Sequence, residues 1–224
     1  MSNENLKILL IGDSNCLPKF GLPNNNIDIE DIYTFKLQEK LNKHKIEKVI
    51  WGGITTKQLT NFAISYYEKW QPDIVIIHSG INDVKKQFIS NNLSYYVFKI
   101  FSLFNISKKK YKNDILYNPN LIKYRGVSKE EIKNFKDQIL RIKSSFSKSK
   151  IIYIGIHSNK NINNQRPNTF ESIINFNKIL KEEFRELFID DSLFSSEHDY
   201  TEDGYHLNKK GQNKLLKKIL EILS

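Results

Sequence analysis

Four short segments, far apart in the chain, hold side chains that could act together on a substrate. They are Gly12-Asp13-Ser14, Gly52-Gly53-Ile54-Thr55, Gly80-Ile81-Asn82-Asp83 and Asp203-Gly204-Tyr205-His206. A serine hydroxyl is a weak nucleophile and needs a base within hydrogen-bond reach. His206 can take its proton and return it to a leaving group. Asp203, three residues earlier on a tight turn, can fix the tautomer of that imidazole and stabilise the imidazolium. An oxyanion would need donors, and the backbone N–H groups of Ser14 and Gly53 with the side-chain amide of Asn82 can supply them. The chemistry this set implies is acyl transfer through Ser14.

Each segment alone has a plainer reading. Gly-Asp-Ser is common at turns and caps helices, Gly-Ile-Asn-Asp suits a turn, and Asp-x-x-His suits a surface pair or half of a metal site. Their joint occurrence, in this order and each after an apolar run, is specific. Cys16 lies two residues past Ser14 and reads as a small, partly buried side chain, since nothing marks it as a low-pKa thiol. His44, His78, His157 and His198 show no metal-ligand spacing. His78 and His157 close predicted strands and are expected in packing or rim roles. Trp51 and Trp70 are expected in the core.

The elements that must position these residues are legible as a β-α alternation. Leu6–Ile11, Lys48–Trp51, Asp73–Ile77, Lys150–Ile154 and the shorter Leu187–Asp190 are strand candidates. Their runs are continuously apolar rather than alternating, as in strands covered on both faces. Helical spacing appears in Ile32–Leu41, in Thr56–Trp70 with Thr55 or Thr56 as N-cap, after the capping-box start Ser128-Lys129-Glu130-Glu131, in Phe170–Leu180 and in Asn208–Leu223. Repeated β-α units predict a parallel sheet between two helical layers. Ligands bind such a sheet at the carboxyl ends of its strands, which is where the four segments fall. No linker or repeat divides residues 1–224, so one domain is expected. An insertion at about 84–126 is predicted to contain a helix around Leu93–Phe104 and to act either as a lid or as a packing element.

Composition narrows the function classes. The chain is 39% hydrophobic and 27% charged, which excludes a disordered or collagen-like chain. No apolar run reaches the roughly 18 residues of a membrane span, and no signal-peptide pattern is visible, so a cytoplasmic protein is expected. The single cysteine excludes an intramolecular disulfide and a multi-cysteine metal site. The net charge of +10 raises the question of nucleic acid. Yet the lysines are dispersed, no binding motif surrounds the densest group at Lys108–Lys112, and a solvated surface is the expected role.

The four segments resemble the blocks of the SGNH (GDSL-like) hydrolases. The likeness runs from Gly12 to His206, nearly the whole chain, and departs from the family name at Asn15, where that name has Leu. It implies a flavodoxin-like three-layer α/β/α sandwich with a five-stranded parallel sheet. It also implies Ser14 as nucleophile, His206 as base, Asp203 as its orienter, and Ser14, Gly53 and Asn82 as oxyanion donors. The segments Asp13–Pro18 and Asp203–Asn208 are similar, more weakly, to members found with bacterial surface-polysaccharide biosynthesis genes.

Rival readings are less well served. An α/β-hydrolase would carry its nucleophile in Gly-x-Ser-x-Gly on a mid-sheet strand. A nucleotide-binding module would show Gly-x-Gly-x-x-Gly or a P-loop, and neither occurs. The sequence therefore predicts a cytoplasmic serine esterase for small acyl esters, O-acetyl groups on a carbohydrate among them, with no metal or organic cofactor and no nucleic-acid partner. Acyl transfer to a sugar, and a non-catalytic glycan- or partner-binding descendant, stay open as alternatives. The oligomeric state is not legible.

Overall fold

The computed structural model describes residues 5–19, 26–89, 122–159, 162, 168–194 and 197–224. Five parallel strands form one sheet: β1 (Lys7–Gly12), β2 (Lys45–Ile50), β3 (Ile74–His78), β6 (Lys150–Ile154) and β7 (Phe188–Ile189), in the order β2-β1-β3-β6-β7. Counted within this sheet alone, that is the 2-1-3-4-5 order of flavodoxin-like folds. Alternation along each strand feeds two cores. Leu9, Ile11, Val75, Ile77, Ile151 and Tyr153 face α2 (Thr56–Tyr67), α4 (Lys129–Ser145) and α5 (Thr169–Phe184). Ile8, Leu10, Ile74, Ile76, Ile152 and Ile154 face α1 (Tyr33–Lys40) and α6 (Lys209–Leu223). Between β3 and the insertion lies a single helical turn, α3 (Ile81–Val84). Four strands are built as the apolar runs predict, because a strand buried on both faces needs apolar residues at every position; β2 instead runs from Lys45 to Ile50, half-exposed, where the apolar run predicts Lys48–Trp51.

Helix starts follow their capping chemistry. Ser128 Oγ accepts from the Glu131 N–H while Glu131 Oε2 accepts from the Ser128 N–H, opening α4. Thr55 caps α2, its N–H donating to Gln58 Oε1. Asn208 caps α6 by accepting from the N–H groups of Lys210 and Gly211. Each cap satisfies amides that the first turn leaves without helical partners.

Two features differ from expectation. A two-stranded antiparallel ladder, β4 (Lys86–Ile89) with β5 (Ile122–Arg125), joins the two ends of the insertion. Its strands are far apart in sequence, so no hairpin turn announces it. The helix expected around Leu93–Phe104 and the Lys108–Lys112 group lie outside the described residues. Trp51 is not in the core: it is 63% exposed. Strand β2 is an edge strand and ends at Ile50, so Trp51 enters the turn before Gly52 and Gly53, beyond the end of the sheet. Trp70 is half-buried, edge-on to Tyr67 beneath Lys7 and Lys45.

Candidate active site

The turn that carries Ser14 is set by the residue before it. The Asp13 N–H continues the β1–β3 ladder by donating to the His78 carbonyl, and Asp13 Oδ1 accepts from the Asn15 N–H. This bends the chain off β1 into a single 3-10 turn, Ser14–Cys16. Ser14 Oγ lies 2.8 Å from His206 Nε2, and His206 Nδ1 lies 2.5 Å from Asp203 Oδ2. A carboxylate accepts only, so Nδ1 carries the hydrogen and Nε2 is left to accept from the serine hydroxyl. Asp203 is itself held. Its Oδ1 accepts from Thr201 Oγ1 and from the N–H groups of Tyr205 and His206. Three residues from opposite ends of the chain thus form one hydrogen-bonded line.

Electrostatics favour the resting state such a line needs. Burial pushes the His206 imidazole below its ordinary value, and Lys19 and Lys85 push the same way; together they outweigh Asp203, which raises it. The imidazole is therefore neutral at neutral pH and able to accept a proton. Burial would raise Asp203, but its bond to His206, the charge there and the two backbone donors hold it well below the usual carboxylate range. Lys85 Nζ sits 3.9 Å over the Tyr205 ring, whose centroid is 4.3 Å from that of His206.

The expected oxyanion residues lie on two loops that are tied together. Asn82 Nδ2 donates to the Ile54 carbonyl at 2.9 Å. One step on, Asp83 Oδ2 accepts from both the N–H and the hydroxyl of Thr56 at the start of α2. Gly53 is in the left-handed region at φ 74°, with no atom within 4 Å of where a Cβ would stand. Its neighbour Gly52 lies against the nucleophile, a Cβ there falling 3.9 Å from Ser14 Cβ. Gly80 turns the other loop into α3 at φ 123°, where a side chain would collide with Ile156. A cavity of about 210 Å³ opens beside Thr55 and Asp83, reaching Lys57, Gln138 and Phe176.

The remaining candidates divide differently. His78 and His157 are buried with their Nε2 atoms 2.9 Å apart, and Tyr33 Oη lies 3.2 Å from His78 Nδ1. Burial lowers His78 to about 3 and His157 well below its ordinary value, so both are neutral packing groups behind the site. Burial likewise pushes the Cys16 thiol far up, leaving no thiolate to compete with Ser14. Among the described residues, no group of three or more His, Cys, Asp or Glu side chains is placed to hold a metal, and no helix is long and apolar enough to cross a membrane.

Sequence reading missed Asn15, Thr201 and Gln212. Asn15 passes as an inconsequential departure from the family name, yet it is buried and its Oδ1 accepts from the Leu207 N–H. The available signal was chemical: a carboxamide beside a nucleophile, like a glutamine in the first turn of an amphipathic helix, has to find partners once buried.

A doubly wound sheet with a serine, a histidine and an aspartate in hydrogen-bonded line at the carboxyl ends of its strands is the architecture of a serine hydrolase. The family model described as GDSL-like lipase/acylhydrolase matches residues 8–219. The chain belongs to that family, and it is an SGNH-type serine hydrolase acting on ester bonds. No curated protein matches the sequence. Solved structures of the same fold include a lipase/acylhydrolase from Enterococcus faecalis, 16% identical with a TM-score of 0.62, covering 97% of this chain and 95% of that one. A variant of Axe2, an acetyl xylan esterase from Geobacillus stearothermophilus, is 19% identical with a TM-score of 0.56, covering 96% and 93%. The psychrotrophic esterase EstA from Pseudoalteromonas sp. is 16% identical with a TM-score of 0.55, covering 98% and 99%.

Proposed function

We propose that this protein removes short acyl groups, O-acetyl groups on carbohydrate foremost, through an acyl-Ser14 intermediate. The observation that carries the reading is the 2.8 Å and 2.5 Å line from Ser14 Oγ through His206 to Asp203. Ser14 Oγ attacks the ester carbonyl and its proton passes to His206 Nε2. The tetrahedral oxyanion is held by the N–H groups of Ser14 and Gly53 and by the Asn82 amide. His206 gives the proton to the departing sugar oxygen as the ester bond breaks. Water, deprotonated by His206, then attacks the acyl-serine; the acyl–Oγ bond breaks, His206 returns the proton to Ser14 Oγ and the acid is released.

Two observations support a small acyl group on a sugar. Trp51 offers an exposed indole face in the loop whose Gly52 faces the nucleophile's side chain, and the C–H faces of sugar rings pack on such surfaces. Acetyl xylan esterases stand among the structures that share the fold. Activated esters with acyl chains from about two to twelve carbons test the reading. Turnover is expected to be fastest with the shortest chain and to vanish in Ser14→Ala while the far-ultraviolet circular dichroism stays unchanged. Preference for the longest chain, or wild-type activity in Ser14→Ala, overturns it.

A further inference from the structure

Ser14 and His206 must meet within a few tenths of an ångström although 192 residues separate them. Sheet pairing fixes the height of β1, but the His206 loop belongs to the start of α6 and no strand carries it. Within that loop the Thr201 N–H donates to the His206 carbonyl and the Asn208 N–H to the Asp199 carbonyl. These bonds shape the loop without tying it to Ser14.

Two buried carboxamides make that tie. Asn15 directly follows the nucleophile and Leu207 directly follows the base. Asn15 Oδ1 accepts from the Leu207 N–H at 3.2 Å. Gln212 Nε2 donates to the Asn15 carbonyl at 3.1 Å and reaches the Leu207 carbonyl at 3.5 Å. Gln212 Oε1 accepts from the Tyr33 N–H at 3.1 Å, which adds the start of α1. Asn15 and Gln212 are 3% and 1% exposed, so water cannot replace these bonds at low cost. The four backbone groups they satisfy, on Asn15, Leu207 and Tyr33, would otherwise be buried and unpaired.

We infer that Asn15 and Gln212 are positioning residues, a paired staple that joins the residue after the nucleophile to the residue after the base and so holds Ser14 Oγ against His206 Nε2. The inference rests on the acyl-Ser14 reading above. A packed site tolerates little error of placement, and a displacement of about 1 Å can cost on the order of a hundredfold in rate. The staple thus acts on the chemical step and leaves substrate contacts alone.

The test compares Asn15→Leu, Asn15→Ser and Gln212→Met with the wild type, each assayed on phenyl acetate well below its own melting temperature. Both kcat and KM are measured, with the second-order rate of labelling by a fluorophosphonate. Expected are a fall of about ten- to a hundredfold in kcat and in labelling rate with KM within about twofold, and an Asn15→Leu/Gln212→Met double variant no slower than the slower single one. Asn15→Asp keeps an oxygen at the acceptor position and is expected to recover most of the lost kcat. A purely structural role would lower melting temperature while leaving kcat of the folded protein unchanged, and that result overturns the inference. Asn15→Ser, the mildest change, decides the matter if the larger substitutions fail to fold. A wild type that neither turns over esters nor labels would instead sink the acyl-Ser14 reading itself, so the two failures are distinguishable.

Discussion

The two halves of the site are built in opposite ways. The proton-transfer half, a buried His206 between a half-buried Ser14 and a half-buried Asp203, is cross-tied by Thr201, Asn15 and Gln212. The half expected to face the substrate runs through Trp51, Gly52 and Gly53, all exposed, and is pinned mainly through Asn82 and Asp83. The difference follows from what each half must do. Proton transfer needs a fixed geometry about the imidazole, whereas a substrate needs an open approach and a backbone N–H with no side chain in front of it. Changes in the first half should strike turnover, and changes in the second should grade from turnover into recognition.

After loss of the nucleophile itself, Asp203→Ala should have the largest effect, on the order of 10³- to 10⁴-fold in kcat with KM nearly unchanged, because His206 loses the partner that sets its tautomer. A loss below about tenfold in steady-state kinetics would break the claim that this half is specified by its hydrogen bonds. Asn82→Ala is expected to lower kcat by roughly 10²- to 10³-fold. Its melting temperature must be read alongside, since the same amide holds the Ile54 carbonyl.

Asp13→Asn sharpens the contrast through stability. Burial raises the Asp13 carboxyl from 3.8 to about 6. A group whose folded value is raised lends its stability below the unfolded value and loses it as pH climbs through the folded one. Ionised Asp13 therefore costs of order 2–3 kcal/mol at neutral pH, at about 1.4 kcal/mol for each pH unit between the two values. Urea unfolding should show Asp13→Asn gaining on the wild type between pH 4 and 7, and a pH-independent difference would contradict it. The smallest effect belongs to the open half. Trp51→Ala should raise KM for an acetylated oligosaccharide about three- to tenfold while leaving ethyl acetate hydrolysis unchanged. Equal loss on both esters would remove the indole from recognition.

Local pattern carried much of this. The apolar runs announced β1, β3, β6 and β7 because strands covered on both faces cannot hide polar residues, whereas the edge strand β2, with Lys45, Glu47 and Lys48, showed only its last half as an apolar run. Ser128-Lys129-Glu130-Glu131 announced α4 because a capping box is a contact between neighbours. The ladder of β4 with β5 had no such signature, since each strand's partner is distant in sequence. Asn15 looked incidental for the same reason: its meaning lies in Leu207 and Gln212, which only folding brings near.

By itself the sequence determined the order of strands and helices, the residues that follow each strand, and hence the class of chemistry, because periodicity, capping and turn residues act over a few positions. Tertiary structure alone decided that β2 stands at an edge and leaves Trp51 in solvent, that His78 and His157 lie buried against each other, and that two carboxamides bind the nucleophile's turn to the base's loop. Those outcomes depend on which surfaces meet when distant segments pack, and no property of a single segment encodes its partner.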